Sequence, residues 1–120
     1  MHEVGIGMVG AGFISALHAE AFKLVPECHV RGVVAASEAS ARRFADEHGI
    51  PTHHTDYRRL LSDAAVDIVT VAVPNHLHRD VVVAAAAAGK HVIVEKPLAR
   101  TLAEADEMIA ACRAAGVLLM

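Results

Sequence analysis

Tryptophan is absent from this sequence, and the other large aromatics are one Tyr and three Phe. With so few rings, a core must be built from Val, Ile, Leu and Ala. That mixture suits a parallel sheet with helices packed close on both faces. Cysteine is scarce as well. Cys28 and Cys112 stand far apart and form no C-x-x-C pair, which excludes a disulfide scaffold and points to free thiols in a reducing cytoplasm. Charge of one sign is also lacking. A net charge of -3 provides no basic footprint for nucleic acid and no polybasic stretch for a membrane surface. The longest apolar run of helical character, Val81 to Gly89, falls far short of the roughly 20 apolar residues that span a bilayer. Met1-His2-Glu3 lacks the positive region of a secretory signal. Linkers, low-complexity tracts and internal repeats are missing too.

What is present is a hydrophobic content of 54% over 120 residues, enough for the core of one domain, residues 1–120. The pattern is strand, turn, helix, repeated. Val4 to Val9 is an apolar run ending at glycines and is expected as a strand. Phe13 to Val25 is expected as a helix whose core face carries Phe13, Leu17, Ala21 and Leu24 at helical spacing. Val30 to Ala36 is a second strand. Ser37 is placed to cap a helix that runs to about His48 and closes at Gly49. Thr52 to His54 is a short third strand, and Asp56 caps a short helix, Tyr57 to Leu61. Val66 to Val73 is nearly unbroken in apolar character, as a strand buried on both faces requires. A helix then runs to Ala88 and ends at Gly89. His91 to Val94 is the next strand. Thr101 with Glu104 three residues on forms a capping box for a helix that Gly116 ends. Val117 to Met120 begins a sixth strand with nothing after it, which points to a fragment boundary.

Strands alternating with helices predict an α/β fold with a doubly wound parallel sheet. Right-handed crossovers narrow the topology to a three-layer α/β/α sandwich of strand order 3-2-1-4-5-6. Gly5-x-Gly7-x-x-Gly10 matches a dinucleotide fingerprint as text, but its first two glycines fall inside the strand. The turn that follows the strand and opens the helix is Gly10-Ala11-Gly12-Phe13-Ile14-Ser15. Gly10 permits the tight turn, and Gly12 lets the backbone approach a pyrophosphate. The helix N-terminus offers free N–H groups to that anion. Ser15, small, replaces the third glycine. Strand before and helix after are the context that the fingerprint needs.

Many such domains carry an acid at the end of the second strand to hold the adenosine ribose of NAD. Here that position is Ala35, so a 2′-phosphate meets no repulsion. Ser37 is available to hydrogen-bond the ribose or its phosphate, or simply to cap the helix, and Arg42 or Arg43 stands within reach on the next helix. The expected cofactor is NAD or NADP, with the balance toward NADP. Nine histidines raise the question of a metal. His53 and His54 are adjacent and point apart on a strand, and nothing completes a cluster around His76 and His78. No metal site is expected. A nucleophile elbow for Ser-His-Asp chemistry is lacking.

Two further segments stand at strand ends: Val73-Pro74-Asn75-His76-Leu77-His78 and Val94-Glu95-Lys96-Pro97. With Gly10-Ala11-Gly12 before them, they make the chain resemble, over essentially its whole length, the N-terminal NAD(P)-binding Rossmann domain of the glucose–fructose oxidoreductase / inositol dehydrogenase / rhizopine catabolism (Gfo/Idh/MocA) family. The resemblance implies that Gly10, Gly12 and the backbone of Phe13 and Ile14 hold the pyrophosphate. Pro74, Asn75 and His78 would line the nicotinamide end. Glu95 would approach the nicotinamide ribose, and Lys96, before Pro97, would project toward the nicotinamide and the substrate hydroxyl. His18 also matches a histidine common in the family. A substrate domain, absent from this chain, would carry the proton-transfer histidine and most of the substrate pocket, and the full-length protein would form a homo-oligomer. Chemistry supports Lys96 independently. Oxidising an alcohol carbon requires the hydroxyl proton to leave and charge on the oxygen to be stabilised, and strand C-terminal ends are where open α/β sheets bind ligands. The Lys96-Pro97 bond is a candidate for the cis form, because the chain must turn sharply while aiming the lysine into the cleft.

The expected activity is therefore hydride transfer between a nicotinamide cofactor and a hydroxyl or carbonyl of a sugar, polyol or similar small molecule, with the fragment alone inactive. A glycosidase that oxidises transiently with bound NAD shares the fold, and would differ in holding its cofactor without exchange and releasing a free sugar. A non-catalytic dinucleotide-sensing domain is the other alternative, and Lys96 speaks against it.

Overall fold

The computed structural model describes residues 2–120. Five strands, β1 (Val4–Val9), β2 (Cys28–Val34), β3 (Thr52–His54), β4 (Ile68–Val71) and β5 (His91–Val94), form one sheet in the order β3-β2-β1-β4-β5. Every pairing is parallel. Five helices connect them: α1 (Phe13–Phe22), α2 (Glu38–His48), α3 (Tyr57–Leu61), α4 (His78–Ala87) and α5 (Leu102–Ala115). The order doubles back at β1, so the chain winds away first toward β3 and then toward β5.

Alternation along the strands sorts the core into two layers. Ile6, Met8 and Val33 face α1 and α2, packing with Ala19, Phe44, Ala45 and Ile50. Val9, Val34, Val69, Val71 and Val92 face the other way, against Leu60 of α3, Val82 and Ala85 of α4, and Met108 and Cys112 of α5. Burial pushes the Cys112 thiol above its usual range.

Local signals set the helix ends. Ser37 accepts a hydrogen bond from Ser40 N–H at 3.2 Å, Asp56 from Arg58 N–H at 2.9 Å, and Thr101 from Glu104 N–H at 3.1 Å. Only half of the expected capping box forms at Thr101. The Glu104 carboxylate turns instead to Arg100, accepting from its guanidinium at 2.7 Å and its backbone N–H at 3.3 Å.

Four expectations are corrected. The helix expected over Phe13–Val25 stops at Phe22, because Pro26 disfavours helical backbone at Val25. Its apolar stripe faces outward, with Phe13 77%, Leu17 53% and Leu24 84% exposed. The face turned to the sheet carries Ser15 and Ala19, whose small size lets the helix sit close to the sheet. The second strand begins at Cys28 rather than Val30 and ends at Val34. The central strand is Ile68–Val71 rather than Val66–Val73. Beyond Val71, Ala72 N–H still reaches Val9 O at 2.9 Å, but Pro74 has no N–H to continue a ladder. Val117–Met120 is not a sixth strand. It lies beside β5, exchanging backbone bonds of 2.9 Å between Val92 and both Leu118 and Met120. A single bridge forms, Val92 with Leu119, because Leu118 N–H bonds to the His91 ring instead.

Gly5 and Gly7 belong to β1, not to a turn, and their role is closeness. A Cβ on Gly5 would strike the Ala65 carbonyl, and one on Gly7 would meet Leu60 Cδ2 at 2.9 Å. Gly5→Ala is expected to destabilise the domain by about 1–3 kcal/mol through overpacking, read as a lowered midpoint in urea without a change in slope.

Candidate functional site

Parallel register brings five strand ends into one row: His54, Val34, Val9, Val71 and Val94 pair in succession across the sheet. The residues that follow each strand share that edge, and the winding reverses between β1 and β4, where ligands bind in such sheets.

Gly10 leaves β1 with φ +113, a conformation open to glycine. Its N–H bonds to Val34 O at 2.8 Å, and a Cβ there would strike the Ala72 carbonyl. The turn is thus wedged between the ends of β2 and β4. Gly12 is the N-cap of α1 and makes no side-chain cap. Around its missing Cβ nothing lies within 4 Å. The first N–H groups of α1, those of the exposed Phe13 and Ile14, are therefore left at an open surface. Ser15 Oγ, buried beneath the turn, has no hydrogen-bond partner. An open glycine, an uncapped helix start and an orphaned hydroxyl together fit a pyrophosphate.

A cavity of about 580 Å³ extends from this turn. Gly10, Gly12, Ala35 and Pro74 line it, as do Thr55, Tyr57, Leu77 and Val81. The last four were not legible as site residues. Thr55 follows β3 directly, so its place at the strand-end row was the available signal. The cavity is mostly apolar, suited to a flat ring system. A second crevice lies between Gly12, Phe13, Ser40 and Arg43. Arg42 instead leans toward Asp46, at 3.9 Å. Ser37 is engaged as the cap of α2, with its Oγ 2.7 Å from Ser40 Oγ.

Toward β5 the wall changes character. Pro74 is the N-cap of a 3-10 turn, Asn75–Leu77, that leads into α4. Glu95 N–H bonds to Val71 O at 2.9 Å, extending the ladder by one step before the chain turns at the cis Lys96-Pro97 bond. Glu95 Oε1 lies 2.9 Å from His18 Nε2, so α1 and the end of β5 are joined across the cleft. Lys96 is exposed. His78 is placed differently from the other motif residues. Its ring is 1% exposed, behind the wall rather than on it. Nε2 lies 2.9 Å from Val73 O, and Nδ1 lies 3.0 Å from Pro97 O and 3.2 Å from Leu98 O. Among the described residues no group of three or more His, Cys, Asp or Glu is arranged to hold a metal. No helix is long and apolar enough to cross a membrane.

A family profile described as an oxidoreductase family with an NAD-binding Rossmann fold matches residues 4–120. The chain belongs to the Gfo/Idh/MocA family. Levoglucosan dehydrogenase of Pseudarthrobacter phenanthrenivorans is 37% identical over 116 residues, 90% of this chain and 30% of that protein. D-xylose 1-dehydrogenase (NADP(+)) 2 of Haloferax volcanii is 39% identical over 115 residues, 96% of this chain and 34% of its own. A solved levoglucosan dehydrogenase in complex with NADH and levoglucosan superposes with a TM-score of 0.93 at 30% identity, covering 98% of this chain and 35% of that one. The chain thus spans about a third of the length of the Gfo/Idh/MocA relatives it matches.

Because the space around Gly12 is empty of protein, Gly12→Val is expected to leave the melting temperature within about 4 °C of wild type, a change of under 1 kcal/mol at this size. It should abolish dinucleotide binding in calorimetry.

Proposed function

We propose that this chain binds NAD or NADP across the ends of β1, β2 and β4 and forms the cofactor domain of an oxidoreductase acting on a hydroxyl or carbonyl of a sugar, polyol or similar small molecule. The observation that carries the reading is the uncapped start of α1 over an open Gly12, at the point where the sheet order reverses. The cofactor, when bound, supplies a ring that accepts or donates hydride. Every other task falls to the chain. Gly10 and Gly12, with the N–H groups of Phe13 and Ile14, hold the pyrophosphate. Pro74 and Asn75 border the nicotinamide half. Glu95, steadied by His18, takes the ribose hydroxyls on that side. Lys96 directs its ammonium at the substrate oxygen, donating a hydrogen bond that holds the negative charge there while the carbonyl and hydroxyl forms interconvert. Relatives with dehydrogenase names, one solved with NADH and levoglucosan, support this reading.

We further assign the substrate pocket and the proton-transfer histidine to a second domain outside residues 1–120, and expect the full-length enzyme to be a cytoplasmic homo-oligomer. The two unpaired cysteines are consistent with that compartment. Cofactor preference leans to NADP. Ala35 presents no carboxylate at the end of β2, and Arg43 borders a crevice beside the Gly12 turn, within which a 2′-phosphate would find a cation. A relative named for NADP(+) supports this choice.

Calorimetry of this chain is expected to detect NAD(H) or NADP(H) at up to millimolar concentration, and silence with all four forms contradicts the reading. Ala35→Asp is expected to move preference toward NAD by about tenfold, roughly 1.4 kcal/mol, through repulsion of the 2′-phosphate. A wild-type preference for NAD of that size would overturn the NADP assignment. In the full-length enzyme, Lys96→Met is expected to retain cofactor affinity while lowering kcat by about two orders of magnitude or more. Unchanged turnover would remove Lys96 from the mechanism.

A further inference from the structure

His78 opens α4, yet its ring turns inward and is 1% exposed. The three atoms it meets are all backbone carbonyl oxygens: Val73 at 2.9 Å on the Nε2 side, and Pro97 and Leu98 at 3.0 and 3.2 Å on the Nδ1 side. Carbonyl oxygens only accept, so a ring nitrogen bonds its carbonyl where it carries the proton: the neutral ring donates on one side, the imidazolium on both. Val73 stands directly before Pro74-Asn75, and Pro97 and Leu98 directly follow Lys96. The ring therefore lies between the two segments that leave β4 and β5 at the nicotinamide end. At this point the ladder between those segments has run out. Its last bond joins Glu95 N–H to Val71 O, and neither Pro74 nor Pro97 has an N–H to offer. Nothing in the sheet itself holds the two exits together beyond it.

We propose that His78 is a positioning residue, a clamp that ties the Pro74-Asn75 loop to the Lys96-Pro97 turn and so fixes the spacing of Asn75, Glu95 and Lys96. It acts through those segments and does not touch the cofactor. The inference rests on the cofactor reading above only in naming what the two segments face. Imidazole suits the task because its two nitrogens lie on opposite edges of one rigid ring. An amide side chain carries both of its donors on a single nitrogen and reaches one side only.

The test compares two ligands on this chain. NADPH carries the nicotinamide and its ribose, and ADP carries only the adenosine and diphosphate portion. His78→Phe keeps the ring volume and removes both ring nitrogens. It is expected to weaken NADPH about tenfold while leaving ADP within twofold of wild type, and His78→Gln, with one donating end, is expected to fall between. NADPH affinity unchanged in His78→Phe, or an equal loss for both ligands, overturns the proposal, the second outcome being that of a residue serving the fold alone. Should the Phe variant not fold, the Gln variant and the wild-type ring decide. Nitrogen-edited spectra are expected to show a His78 ring N–H protected from solvent exchange, and free exchange overturns the clamp. Wild-type protein that binds neither ligand overturns the cofactor reading, and the ring N–H then reads the clamp separately.

Discussion

Parallel pairing is the constraint on which the rest depends. It sends every strand of the sheet in one direction, so all five C-terminal ends arrive at one edge, and the register aligns them. A chain so arranged must return over a face after each strand, which supplies the helices. Because it returns in opposite senses from β1 and β4, the connections part at that edge and leave a crevice between them. The glycine turn, the proline-bearing loop and the lysine turn are far apart in sequence. They are neighbours only because they occupy the same position after different strands.

The division of labour within the crevice follows from what each exit can offer. The exit from β1 offers backbone N–H groups, exposed because Gly12 adds nothing around them. The exits from β2 and β3 offer apolar surface and small hydroxyls, at Ala35 and Thr55. The exits from β4 and β5 carry the ionisable groups, Glu95 and Lys96, with His18 reaching across from α1. An elongated ligand laid along the row meets apolar, anion-binding and protic surfaces in turn, which matches the succession of chemical groups along a nicotinamide dinucleotide.

The architecture was legible in the sequence wherever one residue controls one local event. Ser37, Asp56 and Thr101 capped their helices as the side-chain chemistry requires, and Gly49 and Gly116 closed theirs. Legibility failed where packing, not local chemistry, decides. Periodicity identified the apolar stripe of α1 but assigned it to the core, although Ser15 and Ala19 take that place. A stripe at helical spacing tells that a helix has a face and is silent about which neighbour it meets. The strand ends at Ala36 and Val73 were misplaced for a related reason: hydrophobic runs continue past the point where the hydrogen-bond ladder ends. Motif spacing named His78, but its spacing held no sign that the ring turns away from the crevice to meet three carbonyl oxygens. Thr55 and Tyr57 carry no motif and became visible only with the sheet assembled.

The inward face of α1 has a geometric consequence. Ser15 and Ala19 act as a thin spacer, so the height of the helix above the sheet is set by two of its smallest side chains. The start of the helix is held at the level of the strand ends, and its N–H groups open onto the crevice floor rather than above it. Bulk added at Ala19, which is 1% exposed, would push the helix away from the sheet. The reach of the backbone toward an anion is thus governed two turns down the helix, by a methyl group that never meets the ligand.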